Sequence, residues 1–223
     1  MRLMFRDRKE AGRQLAVALA PIRSERPLIL ALPRGGVVVG AEIADALDCP
    51  FDVLLVKKLR APFQPELAIG AISEDGKPIL NEKVLRSLGV DKSYLDHESE
   101  ERMAEIRQQQ KLYRAVKRRV SPAQRTVVIV DDGLATGATV RAAVQAVSAT
   151  NPSGLVVAVP VGAPETVHEI LNMTEVEDVV CVEQPSFFRA VGELYKEFPQ
   201  VEDEEVVEIL SHFASGEEFG TAP

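Results

Sequence analysis

Cysteine is scarce. The 223 residues hold two, Cys49 and Cys181, too few for a disulfide framework or a cysteine metal cluster. Both are expected to sit as small apolar residues in a reducing compartment. No apolar run approaches the roughly 20 residues that cross a bilayer, so no membrane partner is expected. The opening stretch, MRLMFRDRKEAGRQLAVAL, is charged throughout and lacks the apolar centre of a signal peptide. A cytoplasmic location is therefore the expectation. Positive charge is outnumbered, with 26 Lys and Arg against 34 Asp and Glu, a net charge of −8 and a pI near 5.1. That balance argues against broad nucleic-acid binding. Internal repeats and low-complexity segments are absent too. What remains is an ordinary globular composition, 46% hydrophobic and 27% charged, long enough for a sizeable core.

The rest of the chain is organised around Val127 to Thr139, VVIVDDGLATGAT. Four apolar, mostly β-branched residues predict a strand buried on both faces. Asp131 and Asp132 follow, then a turn with Gly133 and Gly137, then a helical pattern starting at Ala138. Glycines let backbone N–H groups turn around a phosphate, and the helix N-terminus adds partial positive charge. Thr136 and Thr139 can donate two more hydrogen bonds. Carboxylates repel phosphate, so the acids should serve something beside it, such as vicinal sugar hydroxyls or a hydrated Mg²⁺. The implied ligand is a sugar phosphate. The stretch is neither a P-loop, for it lacks GxxxxGK(S/T), nor a GxGxxG dinucleotide turn.

Earlier in the chain, Leu28 to Leu32 reads as a buried strand that runs into Pro33-Arg34-Gly35-Gly36 and a further helix. This second strand–turn–helix also makes an anion site, here with a cation added. Phe51 to Val56 (FDVLLV) reads as one more buried strand, ending in Lys57, Lys58 and Arg60. Three cations at a strand's carboxyl end lie where open α/β sheets bind ligands. Residues 60 to 66 look irregular. Ala68 to Ile72 and Pro78 to Leu80 read as a hairpin.

Helices are expected over residues 8 to 19, just after the Asn81 cap, and over about 93 to 118 after the Asp91 cap. The long helix carries a thin apolar stripe: Leu95, Met103, Ile106, Tyr113 and Val116. Its basic end (Lys111, Arg114, Lys117, Arg118, Arg119) reads as a solvated face. Strands at 155 to 161 and 178 to 182 with a helix between complete a βαβαβ alternation. The fold class is α/β, with a mainly parallel twisted sheet, helices on both faces and a small hood or helical addition. One domain is expected over residues 1 to 223. Its core would be about 8–60 and 125–183, with a hairpin and helical insertion at about 60–124. A C-terminal hood segment would cover about 184–223.

The apolar strand, two acids and T-G-x-T loop closely resemble the phosphoribosyl-pyrophosphate (PRPP) motif of type I phosphoribosyltransferases. FRDRKEAGRQLA, LPRGGV and ELAIGAI together resemble a bacterial group of these proteins without an agreed substrate. The resemblance implies transfer of the 5-phosphoribosyl group of PRPP to a nitrogenous base, or the reverse, with Mg²⁺ and release of pyrophosphate. It places the 5′-phosphate on Gly133, Leu134, Ala135, Thr136, Gly137, Ala138 and Thr139. It assigns pyrophosphate to Arg34, Gly35, Gly36, Lys57 and Lys58, where the matching turn often holds a cis peptide. Asp131 and Asp132 would act on the ribose and bind metal directly or through water. A lid carrying Arg60 and Glu66 would close over the centre. The segment FFRAVGELY is faintly similar to one whose aromatic ring stacks on the base, which nominates Phe187, Phe188 and Tyr195. Ala135 replaces the carboxylate that hypoxanthine-type enzymes carry at that position, which argues against their base mechanism. A homodimer is a possible assembly. The alternative is a regulator that keeps the fold and binds RNA or DNA, or a sensor that binds PRPP or a nucleotide without catalysis.

Overall fold

The computed structural model describes residues 5–214, apart from the side chains of Pro65 and Glu66. Five strands form the central sheet in the order β2-β1-β6-β7-β8, and all its pairings are parallel. They are β1 (Leu28–Ala31), β2 (Phe51–Val53), β6 (Thr126–Val130), β7 (Gly154–Val161) and β8 (Asp178–Glu183). Helices α1 (Arg8–Ala18), α2 (Gly35–Leu47), α5 (Ala138–Ser148), α6 (Pro164–Leu171) and α7 (Asp203–Ala214) accompany it. A second, antiparallel sheet of β3 (Val56–Ala61), β4 (Gln64–Ser73) and β5 (Pro78–Leu80) lies with α3 (Glu82–Leu88) and α4 (Lys92–Val116).

The apolar run in β6 explains why the sheet is covered on both sides. Successive strand side chains point to opposite faces. Val128 and Val130 join a core cluster with α1, α2 and α7, while Val127 and Ile129 join one with α5 and α6. All four are fully buried. Each contributes on the order of 1.5–3 kcal/mol relative to exposure.

The sheet order places the site. From β1 the chain steps outward to β2, and β6 then pairs on the other flank of β1. Ala31 at the end of β1 is in register with Val130 at the end of β6. The two loops that follow these strands therefore leave side by side, at the switch point where open α/β sheets hold ligands.

The structure corrects several expectations. FDVLLV is not one strand. Phe51–Val53 pairs with β1, whereas Val56 already belongs to the hairpin sheet. Leu54 and Leu55 bridge the break and are both buried, one in each core cluster. The apolar run is continuous because both faces stay covered, so hydropathy gives no sign of the break. Lys57 and Lys58 consequently lie in β3, not at the carboxyl end of a parallel strand. Arg60, expected in an irregular stretch, also lies in β3, whose ladder with β4 shifts register around it.

The basic end of α4 is solvated only in part: Lys111, Arg118 and Arg119 are exposed as expected, but Arg114 and Lys117 are not. The Arg114 guanidinium pairs with Asp52 and with Glu74, each at 2.7 Å. Asp52 also accepts from the backbone N–H of Val53 and Val120. Lys117 is 2% exposed, and its ammonium donates to the Phe213 carbonyl at 3.3 Å. These cations tie the hairpin sheet and α7 to the parallel core.

Candidate ligand site at the carboxyl ends of the parallel strands

The turn after β1 approaches the turn after β6 closely. The Leu32 N–H donates to the Val130 carbonyl at 2.8 Å. Next come the Pro33–Arg34 peptide bond, which is cis, and Gly35 and Gly36 at the start of α2. A Cβ on Gly36 would stand 2.7 Å from the Val130 carbonyl oxygen and 2.9 Å from Asp131 Cα. A Cβ on Gly35 would stand 1.9 Å from Asp132 Oδ2. Both glycines are required by the crossing of the two loops.

The loop after β6 is stitched to β7 and α6. The Leu134 N–H donates to the Val161 carbonyl at 2.8 Å, and the Ala163 N–H returns to the Leu134 carbonyl at 2.9 Å. Thr166 Oγ1 donates to the Ala135 carbonyl, and Arg141 to the Thr136 carbonyl, both at 2.7 Å. Gly137, at φ 69°, is the N-cap of α5 and supplies no capping side chain. The first N–H groups of α5 have no intrahelical acceptor, and no side chain caps them, which leaves them able to receive an anion.

A cavity of about 440 Å³ opens between these loops and the hairpin sheet. Pro33 lines it from the first turn, and Thr136, Ala138 and Thr139 from the second. Lys57, Lys58 and Arg60 line it from β3, and Arg102 and Gln109 from α4. Asp131 and Asp132 are not among its lining residues. Acids on α4 and the C-terminal segment already meet several of the cations. Lys57 pairs with Glu105 at 3.4 Å, Arg60 with Glu98 at 2.8 Å, and Arg34 with Glu202 at 3.2 Å. An anionic ligand here would displace or share these carboxylates.

The two acids differ in setting. Asp131 Oδ1 accepts the Asp132 N–H at 2.9 Å. Burial pushes the Asp131 carboxyl well above the ordinary carboxylate range, and the neighbouring charge of Asp132 adds to the shift. Asp132 Oδ2 accepts from Arg8 Nε at 2.8 Å, and the Asp132 carbonyl accepts from the Tyr195 hydroxyl at 2.6 Å. Among the described residues no group of three or more His, Cys, Asp or Glu could cage a metal ion. With one Asp132 oxygen on Arg8, the donor set fits a cation brought in on substrate oxygens, not one held by the protein alone.

Of the three aromatic candidates, Tyr195 is the clearest correction. It is 3% exposed and packed between Phe5 and Phe198, with ring centroids 5.4 and 4.9 Å away. No face of it is open to a base. Phe188 packs partly against the same cluster, and Phe187 is 86% exposed. The Glu66 side chain, expected in a lid, lies outside the described residues.

Sequence reasoning missed Arg8, Arg102 and Gln109. The latter two reach the cavity from the middle of α4, where nothing in the helical period marks them. Arg8 stands in a run of charges at the chain's start. Within its helix the signal is a cation in the first turn, against the helix dipole.

Residues 9–195 match the phosphoribosyl transferase domain family. Two Mycobacterium tuberculosis proteins, from strains CDC 1551 and H37Rv, are named for an assumed phosphoribosyl transferase activity. Each is 43% identical over 207 residues, covering 93% of this chain and 46% of the relative. The chain thus spans about half the length of these relatives. The crystal structure of TT1426 from Thermus thermophilus is 44% identical, with a TM-score of 0.89, covering 96% of this chain and all of that one.

Proposed function

The chain belongs to the phosphoribosyl transferase domain family, and from that premise we propose that it transfers the 5-phosphoribosyl group of PRPP to a nitrogenous base, or the reverse, releasing pyrophosphate. One observation carries the reading. The uncapped start of α5, Pro33 at the head of the PRGG turn and the cations of β3 line one cavity at the β1/β6 switch point. A helix start on one side and cations on the other suit a ligand with a phosphate at each end.

In this reading Thr136, Thr139 and the amides of the loop hold the 5′-phosphate. Arg34, Gly35, Gly36, Lys57 and Lys58 hold the diphosphate, with Arg102 added from α4. Asp131 and Asp132 face the ribose hydroxyls. Stretching the C1–O bond builds positive charge on the sugar, which the acids stabilise, while the cations stabilise the departing diphosphate. Asp131 and Asp132 would help to hold Mg²⁺, which would supply further neutralisation of charge on the diphosphate. The hairpin of β3 and β4 covers the reacting centre against water. A cytoplasmic protein, acting alone or as a homodimer, fits this chemistry.

Calorimetry with PRPP and Mg²⁺, followed by turnover assays across purine and pyrimidine bases, tests the proposal. Saturable PRPP binding with pyrophosphate release is expected. A folded protein that does not bind PRPP would overturn it. Binding without turnover on any base would favour the sensor alternative.

A further inference from the structure

Arg8 opens α1, where the helix's own partial charge disfavours a cation. It is also 8% exposed, and burying a guanidinium is costly unless it finds partners. Its partners come from outside α1. Nε donates to Asp132 Oδ2 at 2.8 Å, and Nη1 donates to the Pro199 carbonyl at 2.7 Å. The guanidinium lies 3.7 Å from the centroid of the Phe198 ring. The helix has its own cap, since Asp7 accepts from the Glu10 N–H at 2.8 Å. Nothing in α1 calls for an arginine at this position.

The surroundings make the contact rigid. Phe5 exchanges backbone hydrogen bonds with Leu194 and Lys196, which fixes the segment carrying Phe198 and Pro199 beside the start of α1. Gly35 stands against the same carboxylate oxygen, Oδ2, with room for no Cβ. Two adjacent acids would ordinarily attract a divalent cation. Here Arg8 occupies one oxygen of the pair and offsets one of its charges.

We propose that Arg8 is a positioning residue for Asp132. It fixes the carboxylate through Oδ2, turns Oδ1 towards a neutral sugar hydroxyl, and keeps the free protein from collecting a divalent cation on the acid pair. The proposal rests on the reading that these acids face the ribose of PRPP.

The test uses Mn²⁺ as probe, titrated into the full chain without substrate and followed by electron paramagnetic resonance. Wild type should bind it weakly. Arg8→Gln should bind about tenfold more tightly, because a positive charge within contact distance is gone. Adding Asp132→Asn should abolish that gain. Unchanged Mn²⁺ affinity in a folded Arg8→Gln protein, or tight binding by wild type, would overturn the proposal. Arg8→Lys keeps the charge but loses the planar fork that reaches Asp132 and Pro199 at once while stacking on Phe198. It should hold Mn²⁺ as weakly as wild type, yet lower kcat about tenfold at saturating PRPP. If Arg8→Gln does not fold, Arg8→Lys decides, and full activity in that variant sinks the idea. Failure of the PRPP reading itself would show differently, as a wild-type protein that ignores PRPP while the Mn²⁺ responses persist.

Discussion

Gly35 and Asp132 stand so close that a Cβ on the glycine would lie 1.9 Å from the carboxylate Oδ2 and 3.0 Å from Arg8 Nε. The contact joins the turn after β1 to the acid pair after β6. Asp132 is already held by Arg8 and Tyr195, so it has little freedom to retreat. Gly35→Ala should therefore push the two loops apart. Overpacking of this kind costs about 1–3 kcal/mol. Thermal unfolding should fall by several degrees, and PRPP affinity should fall with it. A variant with unchanged Tm and unchanged binding would show that the loops are not locked together.

A second expectation concerns the buried ion cluster. Asp52 and Glu74 are 1% and 3% exposed, and Arg114 spans them at 2.7 Å on each side. Removing the arginine leaves two buried carboxylates without their main partner. Arg114→Met should cost about 3–5 kcal/mol in chemical denaturation. Replacing Asp52 by Asn in that background should recover part of the loss, since one stranded charge disappears. A single variant as stable as wild type would mean that water reaches these acids.

The cap of α1 gives a pH prediction. The Glu10 N–H donates to Asp7, and this bond is the main reason the Asp7 carboxyl sits below its ordinary value of 3.8. A lowered folded-state pKa means that the contribution is present above the unfolded value and is lost as pH falls through the folded one. Asp7→Ala should cost about 1 kcal/mol near neutral pH. The gap from wild type should narrow below about pH 4. A gap that stays constant into acid would assign the effect to something other than the ionised cap.

Much of this architecture was readable from residues. The buried strands, the Asn81 and Asp91 caps and the glycine-bearing loops all have short-range causes, and α5 begins at Ala138 as its pattern requires. What hydropathy could not show was where one sheet hands over to another. Leu54 and Leu55 are apolar because both of their sides are covered, whichever sheet they join. Long-range pairing was equally hidden. Arg114 reads as one more solvated cation until Asp52, 62 positions away, is brought against it. Arg8 reads likewise until Asp132 arrives from 124 positions away. Tyr195 looks like a ring offered to a base, but Phe5, 190 positions earlier, packs against it.

The last expectation separates anchor from catalyst. Thr136 lines the cavity beside the uncapped start of α5. In the proposed complex it touches the 5′-phosphate, which is remote from C1 and whose charge barely changes as the C1–O bond breaks. Contacts of that kind stabilise ground state and transition state alike. Thr136→Val should therefore raise KM for PRPP more than it lowers kcat. Asp132 is placed differently. Its carboxylate is 17% exposed and fixed by Arg8 at 2.8 Å, so it is preorganised before the sugar acquires charge. Preorganised charge at a reacting centre contributes mainly in the transition state, and one such contact is worth on the order of 3 kcal/mol, or roughly a hundredfold. Asp132→Asn should then lower kcat by about that factor and leave KM within a few-fold of wild type. The comparison needs only one base that turns over, or slow hydrolysis of PRPP. If Thr136→Val abolishes kcat at saturating PRPP while Asp132→Asn leaves it intact, the two roles have been assigned the wrong way round.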